Sequence, residues 1–196
     1  MNPDSLEKVA EEVKGCPLCK LSSSRKNAVP GEGAVGAKIL FIGEAPGRSE
    51  DAMGRPFVGS AGKILDNAMA SAGIDRSEVF ITNLVKCRPP GNREPEEDEI
   101  ISCRPYLERQ IALVEPDIIC VLGKTALGAL LGGDSIAATR GKMIEKEGRK
   151  YFLSLHPAAA IYNRKLLAVI EQDLKKLAAE SDRVRFKDSS TKEGAL

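Results

Sequence analysis

Tryptophan is absent from this 196-residue chain, histidine occurs once, and aromatic residues make up only 4% of it. Any exposed aromatic inside a motif therefore carries unusual weight. No apolar run approaches the roughly 20 residues that a membrane-spanning helix needs. The N-terminus shows no apolar secretion signal, so the expectation is a cytoplasmic protein with no membrane attachment. A strong basic excess is also missing, since the net charge is +1. That speaks against a wide, sequence-independent grip on nucleic acid and leaves room for a small basic groove. The cysteines number five. An odd count without a secretion signal argues against a disulfide framework and for metal binding or buried thiols.

What is present describes an ordinary globular protein, 42% hydrophobic and 29% charged. Its length suits one domain with a real core and is too short for two. Residues 1–13 read as an amphipathic helix with Asp4 and Glu7 as a capping box. Residues 20–37 and 48–59 read as loops. Apolar runs predict strands at 38–42, 79–85 and 117–122, and a hairpin over 142–155 turning near Gly148. Helices are expected from Ser60, from Glu96 with a bend or restart at Pro105, over 124–131, and after Asn163 as the cap of the last one. Residues 181–196 are polar and predict a flexible tail behind a single domain over 1–180.

Strands alternating with helices imply a three-layer α/β/α sandwich with a mostly parallel central sheet. In such sheets the site lies outside the carboxyl ends of the strands. Glu44, Asn83 and His156 each follow closely on a predicted strand. Two familiar patterns fail on context. Gly31-Glu32-Gly33-Ala34-Val35-Gly36 precedes a strand, whereas a dinucleotide fingerprint must follow one. Gly123-Lys124-Thr125 ends like a phosphate-binding loop, but position 118, where that loop needs glycine, is Ile118.

Cys16 and Cys19 form a C-x-x-C knuckle, and Cys87 and Cys103 lie far downstream. Four thiolates suit either a structural zinc or a [4Fe–4S] cluster, and spacing alone leaves that choice open. Cys120 sits inside an apolar strand and reads as a core residue.

Four segments, in order, resemble one family. They are Gly43-Glu44-Ala45-Pro46-Gly47, the run from Gly54 to Gly62, the run from Thr82 to Pro90, and Ser154-Leu155-His156-Pro157-Ala158-Ala159. With the four cysteines in register, the chain resembles a family 4 uracil-DNA glycosylase, the iron–sulfur type. That resemblance implies a uracil-DNA glycosylase-like fold and a [4Fe–4S] cluster on Cys16, Cys19, Cys87 and Cys103. It implies a monomer that hydrolyses the N-glycosidic bond of deoxyuridine in DNA and releases free uracil. Phe57 would stack on the flipped base and Asn83 would read its Watson–Crick edge. His156 would donate to uracil O2, and Glu44 would stabilise the cationic sugar or orient water. The backbones of Gly43, Ala45 and Gly47 would approach the base.

Each residue also has a plainer reading: a core plug for Phe57, a strand-end cap for Asn83, a structural hydrogen bond for His156, a turn cap for Glu44. Arg88, Arg93 and Arg164 are candidates for phosphate contacts, and Ile161 or Tyr162 for a wedge into the vacated stack. The rival function is an iron–sulfur module that captures uracil in DNA without turnover. A covalent trap for the abasic sugar is disfavoured, because residues 88–102 contain no histidine.

Overall fold

The computed structural model describes residues 4–193, with side chains to residue 184. In chain order the elements are α1 (Leu6–Gly15), β1 (Glu32–Gly33), β2 (Ile39–Gly43), α2 (Arg48–Met53), α3 (Ser60–Ser71), β3 (Phe80–Asn83), α4 (Glu97–Val114) and β4 (Ile118–Leu122). They continue with α5 (Lys124–Leu131), α6 (Ile136–Thr139), β5 (Met143–Lys146), β6 (Arg149–Ser154), α7 (Ala159–Tyr162) and α8 (Leu166–Glu193). The strands form one six-stranded sheet in the order β1-β3-β2-β4-β6-β5. The four central strands run parallel, and the two edge strands pair antiparallel to their neighbours.

Both faces of the sheet are covered, so the central strands are apolar throughout, as β2 and β4 show. Successive side chains alternate between the two faces. Ile39, Phe41, Ile118, Cys120 and Phe152 pack under α3 and α8 with Leu65, Met69, Ile170 and Leu174. Leu40, Ile42, Ile119, Val121 and Leu153 pack under α4 and α5 with Leu107, Ile111 and Leu127. A third cluster joins α1 to α4 through Val9, Val13, Val85 and Tyr106, and it contains Cys16, Cys87 and Cys103. The expected α/β/α sandwich is thus the observed architecture, and Cys120 is a core residue.

Several local expectations shift. Ser5, not Asp4, caps α1 by accepting from the Lys8 amide at 3.2 Å. Asp4 is drawn away by Arg109, whose Nε and Nη2 donate to it at 2.9 and 2.7 Å. Gly59 takes the N-cap position of α3, with Ser60 the first helical residue. The two predicted loops hold the edge strand β1 and the short helix α2. Helix α4 passes through Pro105 without a break; the carbonyl that proline leaves unbonded belongs to Ile101, which is exposed, so water can take it. Asn163 does accept from the Lys165 amide just before α8. That helix continues to Glu193 instead of giving way to a tail after residue 180. Its sequence has no glycine or proline before Gly194, Ser181 is buried, and Val184 packs against the core. Residues 194–196 of the expected tail lie outside the described residues.

Candidate active site

The parallel pairing sets the carboxyl ends of β2, β3, β4 and β6 along one edge, with Gly43 opposite Asn83 and Leu122 opposite Ser154. A cleft of about 470 Å³ opens there, lined among others by Glu44, Ala45, Gly47, Phe57, Asn83 and His156. Of the seven residues picked from sequence to face the base or sugar, only Gly43 does not line it. Gly43 lies beneath: a Cβ there would come within 2.5 Å of Asn83 Oδ1 and 2.6 Å of Phe57 Cζ. Its missing side chain is what lets the amide and the ring close over the strand end.

Asn83 is 2% exposed, yet its Oδ1 has no hydrogen-bond partner. A buried acceptor left unpaired costs about 1–3 kcal/mol, and Asn83 is among the residues that line the cleft.

Phe57 belongs to the first core cluster, and it also lines the cleft, its ring centroid 5.7 Å from that of His156. Its backbone is left-handed, with φ at 51°, a costly state for a bulky side chain. The chain around it explains how that state is held. Arg76 Nη2 donates to the Pro56 carbonyl at 2.8 Å. Gly62 removes a Cβ that would collide with the Phe57 carbonyl. Glu50 Oε1 accepts from the amides of Val58 and Gly59 at 2.9 and 2.7 Å, while its Oε2 accepts from Gly47 at 3.1 Å. Glu50 therefore ties both glycine-rich loops of the cleft together. Sequence reading missed it, although an acid three residues after Gly47 at the start of a helix is a capping-box signal.

His156 Nδ1 accepts from the Ala158 amide at 3.2 Å. That bond leaves the proton on Nε2 and makes it the donor. Burial holds the imidazole down to a pKa of about 4, so it is neutral at physiological pH. Glu44 is half-buried, and its Oε2 accepts from Thr125 Oγ1 at 2.7 Å. Burial raises its pKa, the Thr125 bond opposes that rise, and Glu94 adds to it.

The cations sort differently from expectation. Arg93 reaches the cleft, but its guanidinium is engaged by buried Glu99 at 2.7 and 2.9 Å. Arg88 donates to Asn92. Arg164 is exposed, and so is Arg48, which lines the cleft. At the rim, Tyr162 is 90% exposed beside Ile161.

Behind the cleft, Cys16, Cys87 and Cys103 are buried, Cys19 is half-buried, and none is in a disulfide. Their sulfurs receive donors: Leu18 N to Cys16 at 3.5 Å, Arg25 Nη1 to Cys87 at 3.1 Å, Lys86 N to Cys103 at 3.4 Å. Among the described residues no three Cys, His, Asp or Glu side chains meet closely enough to hold one metal ion. Burial pushes the Cys103 thiol up to about 11 and raises Cys87 as well, so neither ionises without a cation to receive it.

The sequence pattern of the uracil DNA glycosylase superfamily matches residues 30–179. The chain belongs to that superfamily. Within it, a Type-4 uracil-DNA glycosylase of Sulfurisphaera tokodaii is 50% identical over 184 residues, covering 89% of this chain and 84% of the relative. One from Thermotoga maritima is 42% identical, covering 87% and 92%. A Type-5 uracil-DNA glycosylase of Pyrobaculum aerophilum is 29% identical, covering 78% and 76%. These values place the chain among the Type-4 uracil-DNA glycosylases. The matched stretch includes every element that lines the cleft.

Proposed function

We propose that this chain hydrolyses the N-glycosidic bond of deoxyuridine in DNA, releasing free uracil and leaving an abasic site. The observation that carries the reading is the unpartnered Oδ1 of Asn83, buried in a cleft sized for a base and faced by an aromatic ring. A glycosylase must first extrude the nucleotide from the stack. The Phe57 ring then stacks on the base. Asn83 Oδ1 accepts from uracil N3–H and its amide donates to O4; cytosine presents the opposite pattern and leaves buried groups unpaired.

As the N1–C1′ bond breaks, its electron pair passes to the base and positive charge builds on the sugar. His156 Nε2–H donates a hydrogen bond to uracil O2, where the charge accumulates, and this is worth on the order of 2–4 kcal/mol of barrier. Glu44 faces the cationic sugar and orients the water whose oxygen bonds to C1′; that water's proton leaves with the base. Tyr162 or Ile161 enters the space the base leaves. Arg48 and Arg164, free of ion pairs among the described residues, suit phosphates.

Cys16, Cys19, Cys87 and Cys103 would hold a [4Fe–4S] cluster. Three of the four thiols receive an N–H donor, which suits thiolate ligation, and the register of the cysteines with the four family segments favours the cluster over a single zinc. When bound, the cluster ties α1, the loop after β3 and α4 together. One chain supplies every residue of the site, in keeping with a monomer, and reduced ligand thiols suit the cytoplasm.

The test is release of free uracil from a uracil-containing oligonucleotide, with a cytosine twin and His156→Ala alongside. Release from the first only, reduced on the order of a hundredfold in the variant, is the expected result. Binding without release would mean a capture module and would sink the catalytic assignments together.

A further inference from the structure

Three of the four parallel strands deliver a proposed site residue at or just beyond their carboxyl ends; β4, at the middle of the sheet, delivers none. The chain leaves β4 through Gly123-Lys124-Thr125, the sequence that resembles a phosphate-binding loop without being one. Its neighbours are the two side chains assigned to the chemistry. Gly123 has φ at 94°, and a Cβ there would sit 2.8 Å from His156 Cβ. Its amide donates to the Ser154 carbonyl at 3.0 Å, holding the end of β6 from which His156 projects. Two residues on, Thr125 Oγ1 donates to Glu44 Oε2 at 2.7 Å.

We propose that Thr125 is the positioning residue for Glu44: its hydroxyl fixes one carboxylate oxygen and leaves the other to face the sugar and its water. This rests on the role proposed above for Glu44. Thr125 is the only hydrogen-bond partner of the Glu44 carboxylate among the described residues. The surrounding charges do not replace it. Glu94, from the loop after β3, repels the Glu44 anion. Arg93 is committed to Glu99, Glu50 to three backbone amides, and His156 is neutral. Arg48 and Lys124 are exposed on their helices. Glu44 in its half-buried place therefore has one hydroxyl to aim its carboxylate and to favour its ionised form.

The experiment compares full-length enzyme with Thr125→Val, Thr125→Ser and Glu44→Gln. Single-turnover uracil excision is followed against pH, and affinity is measured for a duplex carrying 2′-fluoro-2′-deoxyuridine, whose glycosidic bond resists cleavage. Thr125→Val removes only the donor. It should slow excision about tenfold at neutral pH, the scale of one hydrogen bond to a charged group, with affinity unchanged. Losing the bond raises the Glu44 pKa, so the acid limb of the rate profile should move to higher pH. Thr125→Ser keeps the hydroxyl and should stay within about twofold of the parent. A Thr125→Val enzyme with parental rate and profile, or one that loses affinity and rate together with the acid limb unmoved, would overturn the inference. Glu44→Gln separates the two levels. If it is slow while Thr125→Val is not, only the Thr125 role falls. If Glu44→Gln is itself as fast as the parent, the Glu44 role falls first and takes this one with it.

Discussion

Asn83 and Gln110 are both buried amides, 2% and 1% exposed, on either side of one short stretch of chain, yet the fold treats them oppositely. Gln110 is engaged at both ends of its amide. Its Oε1 accepts from Lys86 Nζ at 2.7 Å and from Thr82 Oγ1 at 3.2 Å, and its Nε2 donates to the Pro30 carbonyl at 2.6 Å. Lys86, 1% exposed, is likewise held by three oxygens, those of Gln110, Thr82 and Asn83. On that side, toward the thiols, polar atoms serve the fold. Asn83 presents an unpaired Oδ1 to the cleft, His156 a free Nε2–H, and Glu44 a carboxylate with a single bond. On this side polar atoms have few or no protein partners, which the proposed function explains as room for a ligand. On that reading stability and function lie in adjacent regions, and each can be broken separately.

The largest expected effect is on the thiol side. Cys103→Ser removes a proposed cluster ligand, one that would link α4 to the loop after β3 and to α1. It should lower unfolding free energy on the order of 5 kcal/mol, read as a drop in the urea midpoint with loss of bound iron. An unchanged midpoint would show that this region holds no structural group and would erase the contrast.

Next comes the pH dependence, which tests whether His156 belongs to the cleft side. Its pKa falls from 6.5 in the unfolded chain to about 4 in the fold. Between those values the unfolded chain binds the proton and the folded one does not, so stability is complete above 6.5 and is lost as pH falls toward 4. The full span amounts to about 3 kcal/mol. Urea unfolding at a series of pH values should show His156→Gln losing less over this window than the parent. Equal slopes would mean that the imidazole is not desolvated in the cleft.

The two regions also differ in how far they can be read from sequence. Two strand ends are legible, because apolar runs terminated by Gly43 and by the Ser154–His156 step announce a parallel sheet and its carboxyl edge; the run read over 79–85 overshoots β3, which ends at Asn83. The cysteines are legible as a set through their register with the four motifs, although spacing alone leaves the metal open. What escapes reading is support. Glu50 sits in a stretch that reads as loop, and its three backbone acceptances depend on two turns meeting in space. Thr125 is 81 residues from Glu44, a separation that no local pattern spans. Arg93 looks like a phosphate ligand because its partner, Glu99, lies on the buried face of a helix whose acids read as dipole complements. The glycines of the discarded dinucleotide pattern have a structural use instead: Gly31 and Gly33 let β1 lie close against β3.

The smallest effect is the sharpest test of the contrast. Asn83→Ala removes a buried acceptor that satisfies nothing, so relief of its desolvation offsets the poorer packing around the smaller side chain. Its unfolding free energy should stay within about 1 kcal/mol of the parent, while uracil excision collapses. Gln110→Ala removes an amide of similar burial and takes one partner each from Lys86 Nζ, Thr82 Oγ1 and the Pro30 carbonyl. It should cost about 2–3 kcal/mol of stability. Urea melts of the two variants, run side by side, decide the matter. If Asn83→Ala proves as destabilising as Gln110→Ala, then Oδ1 serves the fold after all. The unpaired acceptor would lose its meaning as a vacancy kept for uracil, and the distinction between the two regions would go with it.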